Sequence, residues 1–313
     1  MNVGQASAVL GTFLFALNTY GAQLLNLASE YDTFVKAAEG QDASSTVAEW
    51  LQFEARHQNI YDDAVYRKSE PGWQKRIEQR RSQFFAEYEK FTPQMKALFA
   101  KAEDVVQEQE ARFRRVFPDL SPTIPIVFMP SLFAFNGKVQ FLRDYGRPGL
   151  LMGVDFIVKR NDNLNVLFSH EFFHAYHHSH LAEGSTGKTM ATPLWKEGFA
   201  TYVSGVLNPR EADEVLLMDS ALAKACADSQ AVSKMASEFL NVIDSDGTNS
   251  YGDWFTMTGA TQPTRRGYCL GLIVIRELVK KYPVIEMVNW DEGRFSQEAR
   301  AVLLSLKEPL LSH

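Results

Sequence analysis

Five of the seven histidines of this 313-residue chain fall between positions 170 and 180: His170, His174, His177, His178 and His180. Two of them frame the run His170-Glu171-Phe172-Phe173-His174, an HExxH pattern. On an α-helix, residues i and i+4 lie about 40° apart on one face, so both imidazoles can reach a single ion. Glu171 sits one step round the helix. There its carboxylate can reach a water beside such an ion without being a ligand itself. Phe168, Phe172, Ala175 and Tyr176 occupy the opposite face and can anchor the helix in a core. One face is therefore chemical and the other structural.

A zinc site built on two imidazoles needs a third protein ligand. One candidate is Glu197, in Leu194-Trp195-Lys196-Glu197-Gly198-Phe199-Ala200-Thr201-Tyr202. Thr192-Pro193 offers an N-cap and a first-turn proline, which places Glu197 early on a second helix able to pack against the first. Gly184 and Gly187 lie in the intervening chain and allow it to reverse. The other candidate is His180, ten residues after His170, the spacing of HExxHxxGxxH. That pattern breaks its helix at a glycine three residues after the second histidine, where this chain has His177. An unbroken helix carries His180 about 9 Å further along and onto another face. Glu197 is the favoured third ligand, and a metzincin-like site using His180 is the alternative.

HEFFH followed by LWKEGFATY resembles the gluzincins, the clan of thermolysin and of the aminopeptidase-N-like enzymes. It is also similar to bacterial families of zinc-dependent proteases. The resemblance is strongest over residues 150–205, weaker over Gly267-Tyr268-Cys269-Leu270-Gly271, and does not extend to 1–117. It implies Zn2+ held by His170, His174 and Glu197, with Glu171 as general base in the hydrolysis of a peptide or protein substrate. It also implies a zincin-like core, with a small mixed sheet and an edge strand that pairs with extended substrate; the segments 124–142 and 150–158 are candidates for that strand.

An oxyanion formed in such a reaction needs a donor besides the metal. Tyr268, Tyr251, Tyr202 and the Arg265-Arg266 pair are available. Tyr268 is preferred because it precedes a glycine-containing helix, CLGLIVIREL. His177 and His178 read as surface histidines at a helix end, or as lining of the cleft.

Two departures from the clan stand out. The gap from His174 to Glu197 is a few residues longer than in thermolysin. Thr201 stands where thermolysin-like enzymes place an aspartate that orients a histidine ligand. The glutamate-bearing G-x-M-E-N motif of the aminopeptidases is also missing, and the nearest texture, Phe135-Asn136-Gly137-Lys138, lacks the acid. The missing acid favours an endopeptidase over an aminopeptidase, and the threonine at 201 leaves the partner that orients His170 unassigned. The competing readings are a non-enzymatic zincin-like binding or scaffold protein, which usually loses the general base kept here as Glu171, and a metal-free helical protein with a chance HExxH.

The elements that must position these residues divide near position 117. Residues 23–40, 45–66, 73–91 and 92–117 read as helices, the last opened by Thr92-Pro93. Short apolar runs at Ile124–Met129, Lys138–Leu142 and Leu150–Val158, separated by Gly, Pro and Asn, read as strands. A helix should begin near Asn163. The expectation is an α+β chain: a helical N-terminal region over 1–117, then a metallopeptidase core over 118–313.

Apolar residues at 45% supply a core, and a net charge of −6 offers no basic excess for nucleic acid. Cys226 and Cys269, which form no CxxC, read as two buried thiols, with pairing in an oxidising compartment as the alternative. Residues 1–29 are uncharged, and Ala8–Leu17 is apolar without a basic residue before it. A leader in 1–22 and a docked helix are the two readings of that segment, which leaves cytoplasmic and exported locations both open. No other segment reads as a membrane span.

Overall fold

Residues Gln23–Asn26 form a strand, β1, where helical spacing predicted the start of a helix. β1 pairs in parallel with β2 (Pro125–Met129), Leu24 opposite Ile126 and Leu25 opposite Val127. The Asn26 side chain then accepts the N–H of Ala28 and turns the chain into α1 (Ala28–Ala38). The non-local ladder outcompetes helical propensity over these four residues. The computed structural model describes residues 23–120, 124–181 and 187–307, so the leader-like segment 1–22 and Gly184 lie outside the described residues.

The sheet has the order β1-β2-β4-β3. β4 (Arg147–Gly153) runs parallel to β2, and β3 (Gly137–Leu142) runs antiparallel to β4 on the outside. β2 is buried at every position, as a strand covered on both faces should be. The strand expected over 150–158 stops at Gly153, and Val154–Arg160 is a helix, α4. Asp155, fully buried on α4, explains the switch. Its carboxylate accepts the backbone N–H groups of Ser131 and Phe133 (both 2.6 Å) and the Ser131 hydroxyl (2.9 Å). It thereby ties down the turn that delivers the chain to β3.

α2 (Ala43–Ala55) is capped by Asp42, which accepts the Ser45 N–H, and ends before short helical turns at Gln58–Ile60 and Tyr61–Val65. α3 is a single 44-residue helix, Trp73–Val116, and Pro93 lies inside it. Thr92 is thus not a cap: its hydroxyl meets the Tyr88 carbonyl and the Tyr31 hydroxyl, 2.9 Å from each. An interior proline costs roughly 3 kcal/mol. Here Tyr88, Thr92, Met95 and Phe99 form one buried stripe across it, and that packing keeps the helix continuous.

α5 (Leu164–His180) begins where expected, with the Asn163 side chain accepting the N–H groups of Asn165 and Val166. α6 (Ala191–Leu207) starts one residue before the expected cap. Thr192 lies in its first turn, its hydroxyl donating to the Gly187 carbonyl. The chain continues through α7 (Ser220–Ala227), α8 (Ser229–Leu240), α9 (Tyr251–Phe255), α10 (Arg266–Leu278) and α11 (Glu292–Lys307).

Cys226 and Cys269 form a disulfide between α7 and α10, which corrects the reading of two free thiols. Packing of α7 on α10 brings their Cα atoms to 5.7 Å, within bridging range. The spacing of 43 residues carries no sign of this.

The fold class is α+β. The N-terminal segment is not purely helical, because β1 joins the sheet, and the buried side chains of α1–α3 are continuous with those of the sheet and α5. No helix among the described residues is long and apolar enough to cross a membrane.

Candidate metal centre

Three side-chain atoms meet between α5 and α6. His170 Nε2 lies 3.2 Å from Glu197 Oε2, His174 Nε2 lies 3.3 Å from the same oxygen, and the two Nε2 atoms are 3.1 Å apart. Hydrogen bonds cannot satisfy this triangle. Each ring nitrogen has one in-plane direction for a proton or lone pair, so it cannot bond along two edges at once. A cation over the triangle faces all three atoms. His170, His174 and Glu197 can therefore hold a metal ion. His180 does not join them: its Nε2 lies 3.1 Å from Asp119 and its ring packs on Tyr176, so the alternative third ligand is not in place.

Electrostatics of the same three groups agree with this reading. Burial alone would raise Glu197, but His174 and His170 outweigh it and hold the carboxyl well below the usual range. Burial alone would lower His174, but the Glu197 charge outweighs it and raises the imidazole. Without a cation, His174 tends to keep a proton beside the carboxylate, and a metal ion competes for that place.

The helices are locked behind the site. Ser169, next to His170, donates within hydrogen-bonding distance of Gln109 Oε1 (2.7 Å), and Asn208 Nδ2 donates to the Ser169 hydroxyl (3.0 Å). Gln109 Nε2 donates to Asn208 Oδ1 (3.2 Å), closing a buried network that ties α3, α5 and the end of α6 together. α6 and α10 cross at a glycine pair. A Cβ at Gly198 would lie 2.3 Å from the Gly271 backbone, and one at Gly271 would lie 2.6 Å from the Gly198 Cα. This close approach sets Glu197, beside Gly198, and Tyr268, one turn before Gly271, against the histidines. The ring of Tyr268 stacks on that of His170 at 6.0 Å and 18°.

Thr201 does not orient His170. Its hydroxyl donates to the Glu197 carbonyl (2.7 Å), and His170 Nδ1 is buried with no partner among the described residues. Packing between Tyr268 and His174 sets the ring instead.

Glu171 faces β3. Burial pushes its carboxyl up from the ordinary glutamate value, and His174 and His170 pull it partly back. A Cβ at Gly137 would lie 2.5 Å from Glu171 Cγ, so only glycine lets the first residue of β3 pass this side chain. In the sequence alone Gly137 is only part of the run Phe135-Asn136-Gly137-Lys138. Its role is invisible without the pairing of β3 with β4.

Of the other expected donors, Tyr268 lies nearest. Burial, then the Glu197 charge, holds its phenol well above the usual tyrosine value, so it stays protonated. Tyr251 is exposed and borders the cavity beside Glu197. Tyr202 stands near Arg276. Arg266 is committed to Glu238 and Asp253. Arg265 donates to the Leu217 and Met218 carbonyls and stacks behind Tyr268. His177 is not a surface residue: it is buried among Phe173, Trp195 and Phe199. His178 is exposed and borders a cavity with His174.

No protein-family model matches the sequence, and no curated protein or solved structure is similar to it.

Proposed function

We propose that the chain is a zinc-dependent peptidase, an endopeptidase in preference to an aminopeptidase, with a zincin-like core. The observation that carries this reading is the triangle of two imidazole nitrogens and one carboxylate oxygen with a half-buried carboxylate, Glu171, beside it. A tetrahedral zinc with bonds of about 2.0–2.1 Å separates its donors by about 3.3 Å. The three edges, 3.1–3.3 Å, suit an ion of that size. Zinc bound there supplies a Lewis acid for the scissile carbonyl and acidifies a water.

The protein's own groups supply the rest. Glu171 takes the proton of the attacking water and delivers it to the leaving amine, a role suited to a carboxylate raised toward neutrality by burial. Tyr268 keeps its proton and can donate it in a hydrogen bond to the developing oxyanion. β3 has no strand on its outer side among the described residues, and Glu171 lies at its start. An extended peptide pairing with that edge passes its backbone over the triad.

The test is cleavage of an unfolded protein such as reduced, alkylated casein, followed by sequencing of the new termini. Internal cuts that stop with chelator and resume with zinc are expected, and absence of cleavage by zinc-loaded protein contradicts the proposal. A second expectation comes from β3. Gly137→Ala forces Glu171 or the strand to shift, and a misplacement near 1 Å can lower activity by about 100-fold. Zinc content should stay at the wild-type level, because the atoms nearest a Cβ at Gly137 all belong to Glu171 and not to the three ligands. Parallel assays of metal content and kcat/KM separate the two effects.

A further inference from the structure

Two cavities border the triad, one at His174 and one at Glu197, and both are lined by Lys196, the residue before Glu197. One, about 360 Å³, lies between β3 and the C-terminal end of α5, with walls from Val139, Phe141, Pro148 and His174. The other, about 540 Å³, lies beside Glu197, with Thr192 and Tyr251 in its wall. Lys196 is half-buried, and among the described residues no ion pair or hydrogen bond holds its ammonium. The two carboxylates that act on it are committed elsewhere: Glu197 to the histidines, Glu292 to the Thr189 hydroxyl.

Across the cleft, Lys138 on β3 is half-buried too. Its ammonium lies 5.6 Å from the Phe135 ring centre, and no ion pair holds it among the described residues. Of the arginines near the site, Arg266 is paired with Glu238 and Asp253 and Arg276 with Asp213, while Arg265 is spent on the Leu217 and Met218 carbonyls. In a chain of net charge −6, two ammonium groups without an ion pair thus stand near the triad, Lys196 in the field of Glu197 and Glu292 and Lys138 in that of Glu70 and Glu171. Half-burying a cation without a counter-ion is unfavourable, and an anionic group on a bound molecule removes that penalty.

We propose that the cleft selects acidic peptides, with a glutamate or aspartate side chain beside the scissile bond bound by Lys196 and favoured further by the field of Lys138. This inference rests on the peptidase reading for the identity of the ligand as a peptide. The apolar stretch formed by Val139, Phe141 and Pro148 covers the methylene stem of such a residue while the carboxylate reaches the ammonium. Neither lysine is a ligand of the ion, so charge selection and metal binding are separable.

The experiment uses the full-length, zinc-loaded Glu171→Gln chain and fluorescent decapeptides that differ only by Glu, Gln or Lys at one scanned position. Anisotropy is expected to show at least tenfold tighter binding of the Glu peptide than of the Gln peptide at one position, with the Lys peptide weakest. The difference should shrink as salt rises. Lys196→Glu should invert the order and Lys196→Met should flatten it, with zinc content measured in each. Equal binding of the three peptides at every position overturns the proposal, as does a glutamate preference undiminished in Lys196→Glu. The charge series on the chain with Lys196 intact decides the matter even where a Lys196 variant fails to fold. Charge-selective binding with no cleavage by the Glu171-containing protein sinks the peptidase reading while the acidic-ligand site stands.

Discussion

Replacing Glu171 by glutamine is expected to lower kcat/KM for peptide cleavage by about 10²–10⁴-fold, the usual contribution of a general base, with zinc content unchanged. Glutamine preserves the volume of the side chain that Gly137 accommodates, so β3 should keep its place. What disappears is the acceptor for the water's proton. Glu171 is not among the three atoms of the triangle, so the ion should bind as before. The check is a pair of measurements on one preparation: zinc per chain and the rate of cleavage. Loss of zinc together with activity would show Glu171 to be a ligand and the assignment of roles to be mistaken. Full activity would remove Glu171 from the chemistry altogether.

Glu197→Gln should weaken zinc binding by more than about 100-fold, because loss of even an outer partner of a ligand weakens metal sites by 10–100-fold. The substitution removes the negative charge that holds His174 up and that pairs with both imidazoles. It leaves the helix crossing intact, since the Gly198–Gly271 contact lies one residue further on. Competition with a chromophoric chelator measures the change directly. His180→Ala, by contrast, should leave zinc affinity where it was, because that ring is engaged with Asp119 and Tyr176. An inverted result, with His180 essential and Glu197 dispensable, would favour the metzincin-like alternative.

The residues of the site were legible where geometry is local. The i, i+4 placement of His170 and His174 follows from helical pitch, and the Asn163 cap marks where that helix begins. Glu197 was legible one step less directly, through a turn and a second helix start that proved two residues early, capped at Met190 and not Thr192. What could not be read is pairwise and distant. Gly198 and Gly271 each look like ordinary helix glycines until α6 and α10 cross. Gly137 gains its meaning from Glu171, 34 positions on, and only through the outer position of β3. Residues 23–26 carry helical spacing but join a strand more than 100 residues away in sequence. Pro93 signals a helix start in isolation, yet the buried stripe from Tyr88 to Phe99 carries α3 through it. Lys196 and Lys138 stand next to Glu197 and Gly137 in the sequence, but whether a lysine has a counter-ion is a property of the fold.

X-ray absorption at the zinc edge, on protein purified without chelator, tests the central assignment most directly. One zinc per chain is predicted, with two imidazole nitrogens and a carboxylate oxygen at about 2.0–2.2 Å. A chain that retains no zinc, or a coordination sphere unchanged by Glu197→Gln, would contradict it.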